Sequence, residues 1–237
     1  MSNRSAIKLA VICAMLSLLT ACAAPQGSLA DTRALVDRVT WGVNATSMQQ
    51  ASELGPQRYL EYQLQPGPQQ LPQAVQAQIA AMTIAQQPLD QLVQTLEQRR
   101  VQIDAILDAD EKKAAQQLLQ QEPDRLAREA ATRSLLRDLY SPAQLQEQMV
   151  WFWMNHFSVY QGKSNLRVMV GDYEEQAIRP HALGKFRALL GATLHHPAML
   201  RYLDNDQNAV GRINENYARE LIELHTLGAD GGYAQRD

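Results

Sequence analysis

Apolar residues along this chain recur at helical spacing, and nowhere do they alternate over a length that would build a strand. Two helical patterns follow one another between Asp31 and Leu64. In the first, Leu35, Val36 and Val39 share a face, and Thr40-Trp41-Gly42 interrupts it. In the second, Met48, Leu54, Tyr59, Leu60 and Leu64 recur around Gly55-Pro56, which predicts a bend or a fresh helix start there. "QPGPQQLPQ", Gln65 to Gln73, reads as a loop. From Leu89 to Tyr140 the pattern is almost purely helical, with Leu89, Leu92, Val93, Leu96, Ile103, Ile106 and Leu107 on one stripe. That stripe slips around Asp108 to Lys113 and stops at Pro123, so an antiparallel helix pair is expected rather than a coiled coil.

"SPAQLQEQMVWFWMNHF" opens with start chemistry: Ser141 suits an N-cap, Pro142 the first helical position, and Gln144 closes a capping box. Leu145, Met149, Phe152 and His156 then follow at intervals of three or four. Trp151, Phe152, Trp153 and Phe157 are expected in the core. The fold class is all-α: a multi-helix array with short helix–helix connections and no substantial β-sheet.

The N-terminus changes the picture of where the chain resides. Arg4 and Lys8 precede an apolar run from Leu9 to Leu19, which is too short to span a bilayer as a helix. Leu19-Thr20-Ala21-Cys22 ends it in the manner of a bacterial lipoprotein signal, with Cys22 as the acylated first residue. The alternative is a plain secretory signal cut after Ala21 or Ala24. The lipoprotein reading gives a signal over 1–21, a tether over 22–32 and a helical domain over 33–237. Ala23 after the cysteine points to the outer membrane, facing the periplasm or the surface.

The only other cysteine, Cys13, lies inside that signal. The mature domain therefore has no disulfide, thiolate metal site or cysteine nucleophile. About 215 residues remain after cleavage, enough for a sizeable core. A net charge of -3 and a pI near 6.0 give no electrostatic case for nucleic acid, so the acyl chains would hold the protein to membrane.

Candidate chemistry concentrates in "NENYARELIELHTLGADGGY", residues 214 to 233. An N-cap at Asn214 and a C-terminal cap at Gly228 predict a helix from about 215 to 226. Tyr217, Leu221 and Leu224 form its apolar stripe, and Arg219 can pair with Glu215 or Glu223. On that account it is an ordinary capped amphipathic helix. The functional account starts from Glu220 and Glu223, which share a face with Asn216 and suit acid–base work or a hard cation. His225 lies about 140° from Glu220 around an α-helix, so it needs a partner from another segment, His156 or His181.

A second candidate lies just upstream. Counted as a twelve-residue calcium loop, "DNDQNAVGRINE" places Asp204, Asp206, Asn208 and Glu215 at positions 1, 3, 5 and 12. Ala209 stands where the loop wants glycine, a left-handed position that costs alanine about 1 to 2 kcal/mol. His195 and His196, adjacent and before Pro197, read as structural groups satisfying the last carbonyls of a helix.

"WFWMNHFSVY" (151–160), "IRPHALGKFRALLGATLHHPAMLRYLDN" (178–205) and "NENYARELIELHTLGADGGYAQRD" (214–237) closely resemble the signature blocks of the bacterial domain of unknown function 1800 family. "DRVTWGVNATSMQQASELGPQRYLEYQLQP" (37–66) resembles its N-terminal block. The resemblance implies no defined chemistry. It implies export, and an envelope partnership with another exported family that resembles sulfatases, whose genes often lie beside. It also implies a longer domain of which 33–237 is the N-terminal part, with exposed apolar surfaces built to pack on the remainder.

Two function classes follow. One is a metal-dependent or acid–base envelope enzyme using Asn216, Glu220, Glu223, His156 and His225, with a divalent cation such as calcium as its cofactor. The other is a non-catalytic binding or scaffold lipoprotein that presents a helical surface to an exported partner.

Overall fold

The computed structural model describes residues 28–67, 70–228 and 230–234; Cys22 and the signal around it lie outside the described residues. Twelve α-helices account for the fold, and among the described residues there is no strand or sheet. They are α1 (Leu29–Val39), α2 (Ala45–Leu54), α3 (Pro56–Leu64), α4 (Gln73–Ala80), α5 (Thr83–Gln86), α6 (Leu89–Asp104), α7 (Ala109–Tyr140), α8 (Gln144–His156), α9 (Leu166–Asp172), α10 (Phe186–His195), α11 (Pro197–Tyr202) and α12 (Asn216–Ile222). Two of them run on into π-helical turns, α9 through Tyr173–Ile178 and α12 through Glu223–Leu227. The chain divides into two compact units, Met1–Arg38 with Gly42–Glu61, and Val39–Trp41 with Tyr62–Asp237.

In the first unit α1 begins with a reciprocal cap. The Asp31 backbone N–H donates to Ser28 Oγ at 3.1 Å, while Asp31 Oδ2 accepts from the Ser28 backbone N–H at 3.1 Å. Thr32 and Val36 are buried one turn apart on its inner face. The breaks expected at Gly42 and Gly55 are present, both at positive φ. Asn44 caps α2 by accepting the Ser47 N–H at 2.9 Å, and Pro56 opens α3 as its first residue. The buried positions of α2 are Ser47 and Ala51, whereas Leu54 is exposed. Met48 thus sits one residue off the face that packs, and Leu54, in line with that face, lies at the exposed end of the helix.

The second unit carries the antiparallel pair, α6 and α7, separated by a break at residues 105–108 close to the expected slip. Pro123 does not end α7, which runs for 32 residues through it. A proline inside a helix removes one backbone hydrogen bond and costs about 3 kcal/mol. Packing offsets this, because Leu126 is buried in a cluster with Leu92 and Val168, and Ala130 is buried a turn later. Close approach of α9 to α7 depends on Gly171: a Cβ there would lie 3.0 Å from the Ala130 Cβ. Two helices can come this close only where one side chain is absent.

The main core joins α8, α9 with its π turn, α10 and α11 around Phe157, Leu166, Tyr173, Ile178, Leu189 and Met199. Tyr173 is fully buried, and its hydroxyl donates to the Phe157 carbonyl at 2.8 Å. The start of α8 differs from expectation. It begins at Gln144, with Ser141 Oγ accepting from the Ala143 N–H at 3.2 Å. The cap comes from elsewhere in the chain: buried Gln63 accepts the Leu145 N–H at 3.1 Å and donates to the Pro142 carbonyl at 2.9 Å. The inner face of α8 carries Gln144, Glu147 and Val150, with Trp153 half-buried and Phe157 buried just past its end. Trp151 and Phe152, expected in the core, are instead 57% and 47% exposed.

Candidate functional site

The motif helix is shorter and differently wound than its sequence suggests. Asn214 Oδ1 accepts the Asn216 N–H at 3.0 Å, a local turn, and α12 starts after Glu215. From Glu223 the backbone switches to π pairing and ends at Gly228, φ 81°. A π turn closes its hydrogen bonds over five residues rather than four, so the 140° separation expected between Glu220 and His225 does not apply beyond Glu223.

The π turn aims His225 inward. It is 6% exposed, with ring centroids 6.2 Å from His156 and 5.4 Å from Phe157. His156 Nε2 lies 3.2 Å from the His225 carbonyl, which can only accept, so that nitrogen carries the proton. Among the described residues His225 Nδ1 is buried without a hydrogen-bond partner. Burial, then the neighbouring His156, lowers the His225 pKa from its ordinary value.

The other motif residues face different neighbours. Glu223 accepts a hydrogen bond from the Tyr233 hydroxyl at 3.0 Å. Arg219 donates to Asn216 Oδ1 at 2.9 Å, and its ion-pair partner is Glu220 at 3.9 Å. Tyr217 anchors the helix by donating to the Leu194 carbonyl at 2.7 Å, while Leu224 is exposed rather than part of a buried stripe. The structure therefore brings His156 to His225. Among the described residues no hydrogen bond or ion pair joins either histidine to Asn216, Glu220 or Glu223.

In the stretch read as a calcium loop, which holds Asp204, Asp206, Asn208 and Glu215, the tight turn does not fall at Ala209. The left-handed positions are Asp204 (φ 57°) and Gly211 (φ 78°), not Ala209. Ala209 pairs with Arg212 across a tight turn in which Gly211 takes the third position, where a type II turn needs φ above zero. Asp204 Oδ1 is held by Lys163 Nζ at 2.7 Å and Asp206 Oδ2 by Arg201 Nε at 3.1 Å. Asn208 Oδ1 accepts the Asn214 N–H at 2.6 Å. Among the described residues no three His, Cys, Asp or Glu side chains gather where a metal ion could be held.

The histidine pair before Pro197 divides its work. His195 Nδ1 donates to the Gly191 carbonyl at 2.7 Å, one turn back in α10. His196 caps the next helix: its Nδ1 accepts the Ala198 N–H at 3.1 Å, which leaves Nε2 protonated and donating to Asp172 at 2.9 Å.

One ionic cluster was not singled out by sequence reasoning. Arg179, just after the first π turn, donates to Glu147 at 2.7 Å and to Glu174 at 2.8 Å. Arg137 pairs with Glu175, and buried Arg133 approaches Glu175 at 3.4 Å while donating to the Gly171 carbonyl. Burial opposes the Arg179 charge, but Glu147 and Glu174 outweigh it and raise its pKa. Asp138 stands beside this cluster. Burial first, then the charge of Glu147, raises its pKa to about 6, against a hydrogen bond from Trp41 that favours the carboxylate. The spacing Glu175 to Arg179 was a legible signal, as was Arg133 to Arg137. Every carboxylate in it that meets an arginine is neutralised, so the cluster joins α7, α8 and α9 rather than offering a reactive group.

A family model described as "Protein of unknown function (DUF1800)" matches residues 34–237. No curated protein and no solved structure shows a significant match to the chain.

Proposed function

The chain belongs to the DUF1800 family, and on that footing we propose that it is an exported, lipid-anchored envelope protein that binds a protein partner through a helical surface. Acylated Cys22 is the anchor in this reading, and the outer membrane its location. Among the described residues no helix is long and apolar enough to cross a membrane. The observation that carries the binding reading is the exposed apolar surface around the histidine pair. Phe152 stacks with His156 at 6.4 Å, Phe186 lies 5.9 Å from Trp153, and Leu224 and Leu227 flank His225 on the π turn, with all four apolar side chains open to solvent. Aromatic and aliphatic side chains held rigid and exposed together are the composition of a protein interface core.

The test is a photoreactive phenylalanine at position 152 in cells producing the lipidated chain, with Cys22→Ser alongside. A discrete crosslinked envelope protein is expected, together with membrane association that Cys22→Ser abolishes. Crosslinks to lipid alone would remove the partner, and a normally matured, membrane-held Cys22→Ser chain would remove the anchor.

A second reading, an acid–base or metal-dependent enzyme of the envelope, is favoured by one observation: the unpartnered, buried Nδ1 of His225 beside His156. Substrate or solvent would complete any coordination there, and Glu220, Glu223 and Asn216 would act from the outer side of the helix. Elemental analysis of the purified protein separates the two. Stoichiometric metal lost on His225→Ala supports the enzyme, and its absence supports the binding protein.

A further inference from the structure

Away from the motif helix, α5, α6 and α7 enclose a cleft of about 200 Å³. Its floor is apolar: Leu92 and Leu126 are buried, and Leu96 packs against the same cluster. Its polar lining is divided between committed and uncommitted groups. Arg125 is committed, donating to Glu122 at 2.9 Å and 2.6 Å, to Thr83 Oγ1 at 2.9 Å, and to Glu129. Arg99, Thr95 and Gln87 line the same space; among the described residues their side chains make no hydrogen bond, and the Arg99 charge acts on the Glu122 carboxylate without bonding to it.

We infer that this cleft binds a small monocarboxylate with an apolar body, its carboxylate on Arg99 and its body on Leu92, Leu96 and Leu126. A planar guanidinium with no hydrogen bond of its own matches a carboxylate in two parallel hydrogen bonds. Thr95 and Gln87 supply further donors to the same two oxygens. Glu122, in the lining with Arg99, repels anions in proportion to their charge, which selects for a monocarboxylate over phosphates and dicarboxylates. The size is also selective. An apolar cavity of about 150 Å³ accommodates benzene, so this one takes a single ring or a short acyl chain with its acid group.

Phenylacetate titrated into the full chain, followed by calorimetry and by leucine methyl NMR signals, tests the assignment. One saturable site is expected, perturbing the Leu92, Leu96 and Leu126 methyls. Arg99→Gln should weaken it at least about tenfold and Arg99→Lys by less, since lysine keeps the charge but not the fork. Arg99 is exposed, so both variants should melt like the wild type. Phenylacetamide should bind the wild type as weakly as phenylacetate binds Arg99→Gln, and should ignore the substitution. Absence of saturation, equal binding to Arg99→Gln, or displacement of phenylacetate by an equal concentration of inorganic phosphate would each overturn it.

Discussion

Arg179 donates to Glu147 across 2.7 Å, linking the segment after the first π turn to the inner face of α8, where the two side chains are only 12% and 5% exposed. A buried pair of this kind is most sensitive to the loss of one partner. Glu147→Ala leaves Arg179 with Glu174 and the more distant Glu175, 3.9 Å away, in a desolvated site and should cost about 3 to 5 kcal/mol in denaturant unfolding. Replacing Arg179, Glu147 and Glu174 together by Met, Leu and Leu should cost far less, because no charge is then stranded. A triple variant as unstable as Glu147→Ala would show that the cluster contributes net attraction beyond charge matching.

Asp138 predicts a pH dependence of unusual sign for a carboxylate. Its folded pKa, about 6, lies above the unfolded value near 3.9, so between these the folded state binds more protons. Its contribution to stability is full below about pH 4 and is lost as pH rises through 6. Asp138→Asn should flatten this window and raise stability at pH 7 relative to wild type. Melting temperatures measured from pH 4 to 7 decide it. A parallel pH profile in the variant would reject Asp138 as the titrating group.

Gln63 should be among the least replaceable polar residues. Gln63→Leu removes both the acceptor of the Leu145 N–H and the donor to the Pro142 carbonyl, inside the fold. Each stranded group costs about 1 to 3 kcal/mol, so a total of about 2 to 6 kcal/mol is expected. Hydrogen exchange should show the first turn of α8 opening before the rest of that helix. Uniform loss of protection would mean that the cap does not act locally.

His225 carries the opposite pH sign to Asp138. Its folded pKa lies below the unfolded value near 6.5, so its stability contribution is full above that value and is lost as pH falls through the folded pKa. His225→Phe removes the proton and the partnerless Nδ1 together, and should leave stability at pH 7 equal or higher while abolishing this acid-side loss. Partner crosslinking should survive the change under the binding reading. Its loss with stability intact would place the imidazole itself in the function.

The all-α class and the breaks at Gly42, Gly55 and residues 105–108 were legible because they are local. They depend on apolar periodicity and on backbone preferences carried by the residues themselves. The sequence also offered His156, along with His181, as a partner for His225 from another segment, since Glu220 and Glu223 lie far from it around an α-helix. What it could not show is where tertiary contact overrides local preference. Pro123 would end an isolated helix, yet buried Leu126 and Ala130 carry α7 through it. Ser141 has cap chemistry, yet Gln63 does the capping from a distant helix. In the stretch that resembles a calcium loop, Lys163 and Arg201 pair with the Asp204 and Asp206 carboxylates, a pairing that residue spacing does not encode. The π turns are likewise invisible to a fixed 100° step, and they are what turns His225 inward and sets Arg179 between Glu147 and Glu174. Burial is a property of the assembled helices, so the exposure of Trp151 and Phe152 and the charge state of Asp138 were decided only there.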